Sequence, residues 1–386
     1  MTDFKRVYDE LVRNKENHDN GYFNCIPFND MPRTEKFLPG VEQDTYYILT
    51  ASSGVGKSKL ARNLFIHNPF QYVLDNPQYD IKLDIFYFSL EESRKKVILS
   101  EIAKYMYKKH GKVLDIKKLQ SRGRYNTIDR ATLIQIREAE AYVNRFLETV
   151  RVIDNVRRPS EIFDYMKKFA IEVGSYYDCY NRRFTEAENK EVLSGGKSCG
   201  KISYYKKNHP KHYVIVLTDH ISLLDNEMGA DGKMMTQWQT MSKFSNQHCI
   251  SMRDKYGFIP VNVQQQASAK EQVEYNYQGK TIQEKLEPSL EGLGDNKTTQ
   301  RDANVILGLF APARYNIEEH GGYDILHLKD NYRSMKILKD RDGSSNGIIP
   351  LFFNGAADIF KELPNPQDQA GMHSVYQEIS RIREAN

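Results

Sequence analysis

The 386 residues predict an α/β fold: a mostly parallel, twisted sheet covered by helices on both faces, with an antiparallel extension near the C-terminus. Three observations carry this. From Tyr46 onward, short apolar runs alternate with longer amphipathic stretches. A glycine-rich loop joins one such run to a helical stretch. The last three runs follow one another too closely for helical crossovers, which parallel neighbours require.

Taken in order, residues 3–17 place Phe4, Val7, Tyr8, Leu11 and Val12 at helical spacing with charge opposite, and Asn17–Asn24 breaks the pattern. This short amphipathic helix can fold back on its own domain or dock on a neighbouring subunit, and the sequence alone does not choose. The apolar runs that follow are 45–51, 84–90, 150–154, 212–219, 259–263, 304–310, 323–328, 335–339 and 348–353, each expected as a strand. Residues 176–211, rich in Gly, Asn and Lys without steady periodicity, interrupt the rhythm as a long loop or small insert. The expected organisation is an arm (1–20), one enlarged domain (21–363) carrying the 176–211 insert, and a C-terminal tail (364–386).

Composition excludes several classes. A 40% hydrophobic fraction and this length supply a real core, so disorder is not expected. Fifty-five Lys and Arg against 51 Asp and Glu leave +4, which excludes a polybasic coat and requires any nucleic-acid contact to be local. Cys25, Cys179, Cys199 and Cys249 stand far apart with no CxxC or CxxH spacing, which argues against a zinc ribbon or knuckle. The N-terminus has no apolar segment behind a basic start, and no stretch approaches the roughly 18 apolar residues of a membrane span. A soluble, reduced, cytoplasmic protein is expected, without a membrane partner.

The strongest chemical signal is Ala51-Ser52-Ser53-Gly54-Val55-Gly56-Lys57-Ser58, between the run TYYILT and the helical stretch KSKLARNLF. This is a P-loop with Ala in its first position. Glycines let consecutive backbone N–H groups curl around a β-phosphate, the helix N-terminus adds positive potential, Lys57 bridges β- and γ-phosphates, and Ser58 reaches Mg²⁺. ATP and Mg²⁺ are the implied ligands. His212–Asp219, HYVIVLTD, ends an apolar strand in a carboxylate; beside the P-loop strand, Asp219 would hold the metal's water shell. In FSLEES, Glu91 ends another strand, where a carboxylate can polarise an attacking water; Glu92 is its rival.

Taken together, the AxxxxGKS loop, FSLEES, VIVLTDHISLL, QRDANVILGLF and KDRDGSSNGIIPLFFNG resemble, in the same order, the RecA-fold motor domain of DnaB-type replicative helicases. The resemblance spans roughly residues 26–357 and implies a RecA-like P-loop NTPase. It implies Lys57 and Ser58 on phosphate and Mg²⁺, Glu91 as catalytic base and Asp219 as the metal-site acid. In VNVQQQAS it implies a γ-phosphate sensor at Gln266 or Gln265, with three consecutive glutamines, Gln264 included, leaving the choice open. Lys339 and Arg341 match the basic pair that reaches the nucleotide of the adjacent subunit, so the ATPase would assemble only in a ring. Segment 292–304 matches the central-channel loop, with Asn296 and Lys297 as the candidates for single-stranded DNA.

Only residues 1–20 are expected ahead of the domain where the family carries a sizeable helical domain, the 176–211 insert is foreign to the pattern, and DHIS replaces D-Y-L-Q. The expectation is an ATP-dependent, phage-type helicase translocating on single-stranded DNA as a hexamer, in the host cytoplasm if phage-encoded, with a separate primase and loader as partners. The alternative is a RecA- or KaiC-like ATPase that binds DNA or protein and assembles in an ATP-switched manner without unwinding.

Overall fold

The computed structural model describes residues 3–266, 276–277, 280–281, 286–293, 298–345 and 347–385. Nine strands form the main sheet: β1 Tyr47–Ala51, β2 Lys82–Ser89, β3 Val150–Ile153, β4 His212–Asp219, β5 Ile259–Gln265, β6 Val305–Phe310, β7 Tyr332–Asp340, β8 Ile348–Asn354 and β9 Ile359–Glu362. Their spatial order is β9-β8-β7-β6-β1-β5-β4-β2-β3. The six strands from β6 to β3 in that order run parallel. The three at the other edge are antiparallel, as the close spacing predicts.

Helices cover both faces. We label α1 Asp3–Asp19, α2 Lys57–Arg62 with its continuation to Asp75, α3 Arg94–His110, α4 Arg130–Arg137, α5 Glu140–Thr149, α6 Pro159–Val173, α7 Gln237–Lys243 with its continuation to Tyr256, and α8 Gln369–Ala385. The pleat sorts the core into two layers. Tyr47, Leu49, Tyr87, Ile215, Leu217, Val261 and Val263 pack under Leu60, Leu64 and Phe65 of α2. Tyr46, Ile48, Phe86, Phe88, Val214 and Val216 face Ile162, Met166 and Phe169 of α6 and Met241, Phe244 and Met252 of α7. The strands are apolar on both sides because both sides are covered.

Four expectations are corrected or refined. Residues 323–328 are not a strand of the sheet: Asp324 caps a short helix, Ile325–Leu328, after a two-residue bridge, and the third antiparallel strand is β9 instead. The insert is ordered, with Gly174–Tyr177 pairing antiparallel to Tyr204–Lys207 around a helix, Glu186–Leu193, and Tyr176, Phe184 and Val192 entering the core. The tail contains α8, whose Met372, Ile379 and Ile382 pack on Tyr323, Leu328 and Phe352. The apolar stripe of α1 is uncovered, with Phe4 79% and Leu11 61% exposed, so the helix does not fold back on its own domain through that face. No helix among the described residues is long and apolar enough to cross a membrane.

Candidate active site

The P-loop leaves the C-terminal end of β1, with Ala51 still in the strand and outside the positive-φ region, so an alanine is accommodated there. Gly54 (φ +71°) and Gly56 (φ +106°) take the left-handed backbone that turns the amides inward. Gly56 is also the N-cap of α2, which sets Lys57 and Ser58 in the first turn, at the positive end of the helix.

β4 is not beside β1, contrary to the expectation, because β5 lies between them. The first turn of α2 leans across β5, and Ser58 Oγ donates to Asp219 Oδ1 at 3.0 Å. Tyr87 OH donates to Asp219 Oδ2 at 3.0 Å from the adjacent β2. Burial raises the Asp219 carboxyl above its ordinary range, opposed by Arg62 and the two hydroxyl donors. One hydroxyl and one carboxylate side by side form a hard-oxygen pair of the type Mg²⁺ binds while keeping most of its waters, so these residues fit that ion. His220, buried beside them, is held below its usual pKa first by desolvation and then by Lys57.

The two adjacent glutamates separate. Glu92 is tied to Arg62 Nη1 at 2.6 Å and to Lys96 at 2.8 Å. Arg62, fully buried, also holds Asp358 at 2.5 Å, and Lys59 reaches the other Asp358 oxygen at 2.9 Å, so Glu92 belongs to a network that pins α2 to the β8–β9 turn. Glu91 is exposed, makes no ion pair or hydrogen bond among the described residues, and lies near enough for its charge to raise both Asp219 and His220.

The three glutamines separate by strand pleat. Gln265 registers with Ala51 and shares the α2 face with Asp219. Gln264 points to the opposite layer, where its Nε2 donates to Leu293 O at 2.7 Å and its Oε1 accepts from Thr299 Oγ1 at 2.9 Å. Gln266 is nine-tenths buried, with Nε2 3.4 Å from Ser289 O. Asn296 and Lys297 lie outside the described residues.

Lys339 and Arg341 do not join this site. Asp340 pairs with Val305, which pairs with Tyr47, at the N-terminal end of β1. The basic pair is therefore at least a strand length, about 13 Å, from its own P-loop. There Lys339 Nζ donates to the carbonyls of Gln300 and Ala303 at 2.5 and 2.7 Å, and Arg341 donates to that of Arg301. Burial and the Arg341 charge lower the Lys339 pKa.

Two arginines that the sequence reading missed brace the loop. Arg333 Nε donates to Val55 O at 2.7 Å while its guanidinium stacks on Phe353, 4.7 Å from the ring centroid, and desolvation brings its pKa down to about 10. Arg314 donates to Ser53 O and lies over Gly54, where an added Cβ would meet it at 3.3 Å. Both come from strands or turns more than 250 residues downstream, with no local spacing to reveal them.

No sequence-family profile and no curated protein sequence matches the chain. Solved structures do. The ATPase domain of G40P superposes with a TM-score of 0.60 at 16% identity, over 92% of this chain and 98% of that one. A DnaB-like replicative helicase, described with its interactions with primase, gives 0.57 at 16% identity over 91% of this chain and 67% of that one. The chain thus shares its fold with the ATPase domain of G40P and with a DnaB-like replicative helicase.

Proposed function

We propose that the chain is an ATP-dependent, DnaB-like DNA helicase that translocates on single-stranded DNA as a hexameric ring during replication, phage-type and cytoplasmic. One observation carries this reading. The residues suited to nucleotide chemistry are divided between opposite ends of the sheet, with the P-loop, Asp219 and Glu91 at one and Lys339 and Arg341 at the other. A head-to-tail interface, repeated around a closed ring, would bring the two ends together.

In this scheme the backbone amides of Ser53 to Lys57 bind the β-phosphate, and Lys57 holds the γ-phosphate oxygens. Ser58 and Asp219 would hold Mg²⁺, which would supply positive charge to neutralise the phosphate oxygens. Glu91, exposed and unpaired, accepts a proton from the attacking water. Gln265, on the α2 face, reads the γ-phosphate. Gln264 holds the described residues on either side of segment 294–297, the stretch containing Asn296 and Lys297, to the same strand. Lys339 and Arg341 stabilise transition-state charge on the neighbour's nucleotide, a contribution on the order of 10³–10⁵ in rate for an arginine finger. The uncovered stripe of α1 supports docking on a neighbouring subunit. A separate primase and a loader complete the proposal.

The test is a fork-unwinding assay with ATP, run beside native mass measurement with and without nucleotide. A hexamer that separates strands is expected. A well-formed ring that hydrolyses ATP and leaves the fork intact would replace the helicase with the ATP-switched clamp.

A further inference from the structure

Residues 112–137, between α3 and the end of α4, hold seven Lys and Arg against two Asp. That surplus of five exceeds the surplus of four in the whole chain, so the remaining residues are net acidic by one. The positive charge of this protein is concentrated in one surface segment.

The segment is a folded protrusion. Lys112 Nζ donates to Thr132 Oγ1 at 2.8 Å and closes its base. Asp115 and Asp129 cap the short helix Ile116–Leu119 and α4, accepting from the backbone N–H of Lys118 and Thr132 at 2.7 and 2.6 Å. Both acids are thereby spent on the backbone. Lys117, Arg122, Arg124, Arg130 and Arg137 are exposed, and among the described residues no ion pair or hydrogen bond engages their side chains. Other bases do sit in pairs, as Arg182 with Glu188 at 2.9 Å and Lys167 with Asp164 at 2.7 Å. Gly123 (φ +89°) turns the chain between Arg122 and Arg124, and the next side chain, Tyr125, is 87% exposed.

Unpaired guanidinium groups have no local partner to surrender on meeting a phosphate, and they bind phosphate oxygens in bidentate fashion. A ring held in water beside them offers a flat face to an unstacked base. We propose that this protrusion is a second nucleic-acid contact, in which Arg122, Arg124 and Arg130 bind the phosphates of a single strand and Tyr125 stacks on a base. The proposal goes beyond the channel assigned above and does not require the ring. In a helicase, the strand excluded from the channel has the required chemistry.

The experiment uses the full chain without nucleotide, a fluorescein-labelled oligothymidylate, and a duplex of equal length, with anisotropy read at several salt concentrations. R122E/R124E should weaken oligothymidylate binding at least tenfold and reduce the salt slope by about 1.4, the share of two phosphate contacts on a single strand. Tyr125→Ala should weaken it roughly tenfold with the slope unchanged. Basal ATP hydrolysis without DNA should stay at the wild-type rate in both variants, which reports that they fold. Unchanged affinity in these variants overturns the proposal. So does equal weakening on single strand and duplex with Tyr125→Ala silent, since that describes a diffuse basic surface. The channel assignment fails separately, if N296A/K297A retains full stimulation of hydrolysis by DNA.

Discussion

If each nucleotide site is completed by the next subunit, Lys57→Ala and Arg341→Ala are lesions of different halves of one site and should complement each other. A Lys57→Ala chain cannot hold phosphate but still presents Arg341; an Arg341→Ala chain has the reverse defect. The separation of the two ends by the length of β1 prevents either lesion from being repaired within its own chain. In a randomly mixed ring at equal proportions, half the P-loops are intact and half of those meet an intact arginine. About a quarter of the interfaces are then competent, each recovering the 10³–10⁵ that an arginine finger contributes. DNA-stimulated phosphate release should therefore be near background for each variant alone and rise to about a quarter of wild type after dissociation, mixing and reassembly, if sites act independently. The curve against mixing ratio should be a parabola with its maximum at equal parts. A mixture no more active than its components would refute assembly in trans, provided mass measurement shows mixed rings.

Gln264→Ala, which releases Leu293 and Thr299, should keep basal hydrolysis and lose its stimulation by DNA, whereas Gln265→Ala should lower basal hydrolysis; identical effects from the two would contradict the pleat assignment. Glu101 is fully buried, and desolvation holds its carboxyl up to about 7 against the pull of Lys104. The native state therefore keeps a proton that the unfolded chain releases near the ordinary value of 4.5, so the contribution of this group to stability falls as pH rises between these values, by about 1.4 kcal/mol per pH unit, while His67, 3.3 Å away and held down by burial, contributes in the opposite sense below 6.5. Denaturant titrations of Glu101→Gln should lack that slope, and an unchanged slope would assign it elsewhere. Deleting residues 1–18 should leave a folded monomer that no longer forms rings, and hexamers persisting by mass would exclude the arm from assembly.

Features with a local pattern were legible in the sequence. The P-loop needs glycines at fixed offsets between a strand and a helix, and both glycines adopt the left-handed backbone that this requires. The antiparallel edge was readable because short connections exclude crossovers, although YDILHL misled: its alternating apolar residues imitate a strand, while Asp324 supplies a helix cap. The α8 helix was readable and missed, since Met372, Val375, Ile379 and Ile382 recur at helical spacing. Contacts between distant residues were not legible. Nothing near Arg333 announces that it holds Val55, and the sorting of Glu91 from Glu92 depends on Arg62 and Asp358, nearly 300 residues apart. The basic protrusion was hidden by averaging, because a near-neutral total conceals one cationic segment on an otherwise slightly acidic chain.

Strand β7 has Arg333 at one end, gripping the phosphate loop through Val55, and Lys339 and Arg341 at or just past the other. It pairs with β8 over Tyr332–Lys336 and with β6 over Ser334–Asp340, so one continuous strand, with a bulge between Ile337 and Lys339, joins the two ends. In the proposed ring, that strand would act as a push-rod between consecutive combustion chambers: a displacement of the loop when phosphate leaves would be delivered, at the far end, to the charge that the next chamber needs for firing. Arg333→Met, which uncouples the near end, should bring the Hill coefficient for ATP down to one while sparing nucleotide binding; a coefficient unchanged from wild type would show that timing is carried elsewhere.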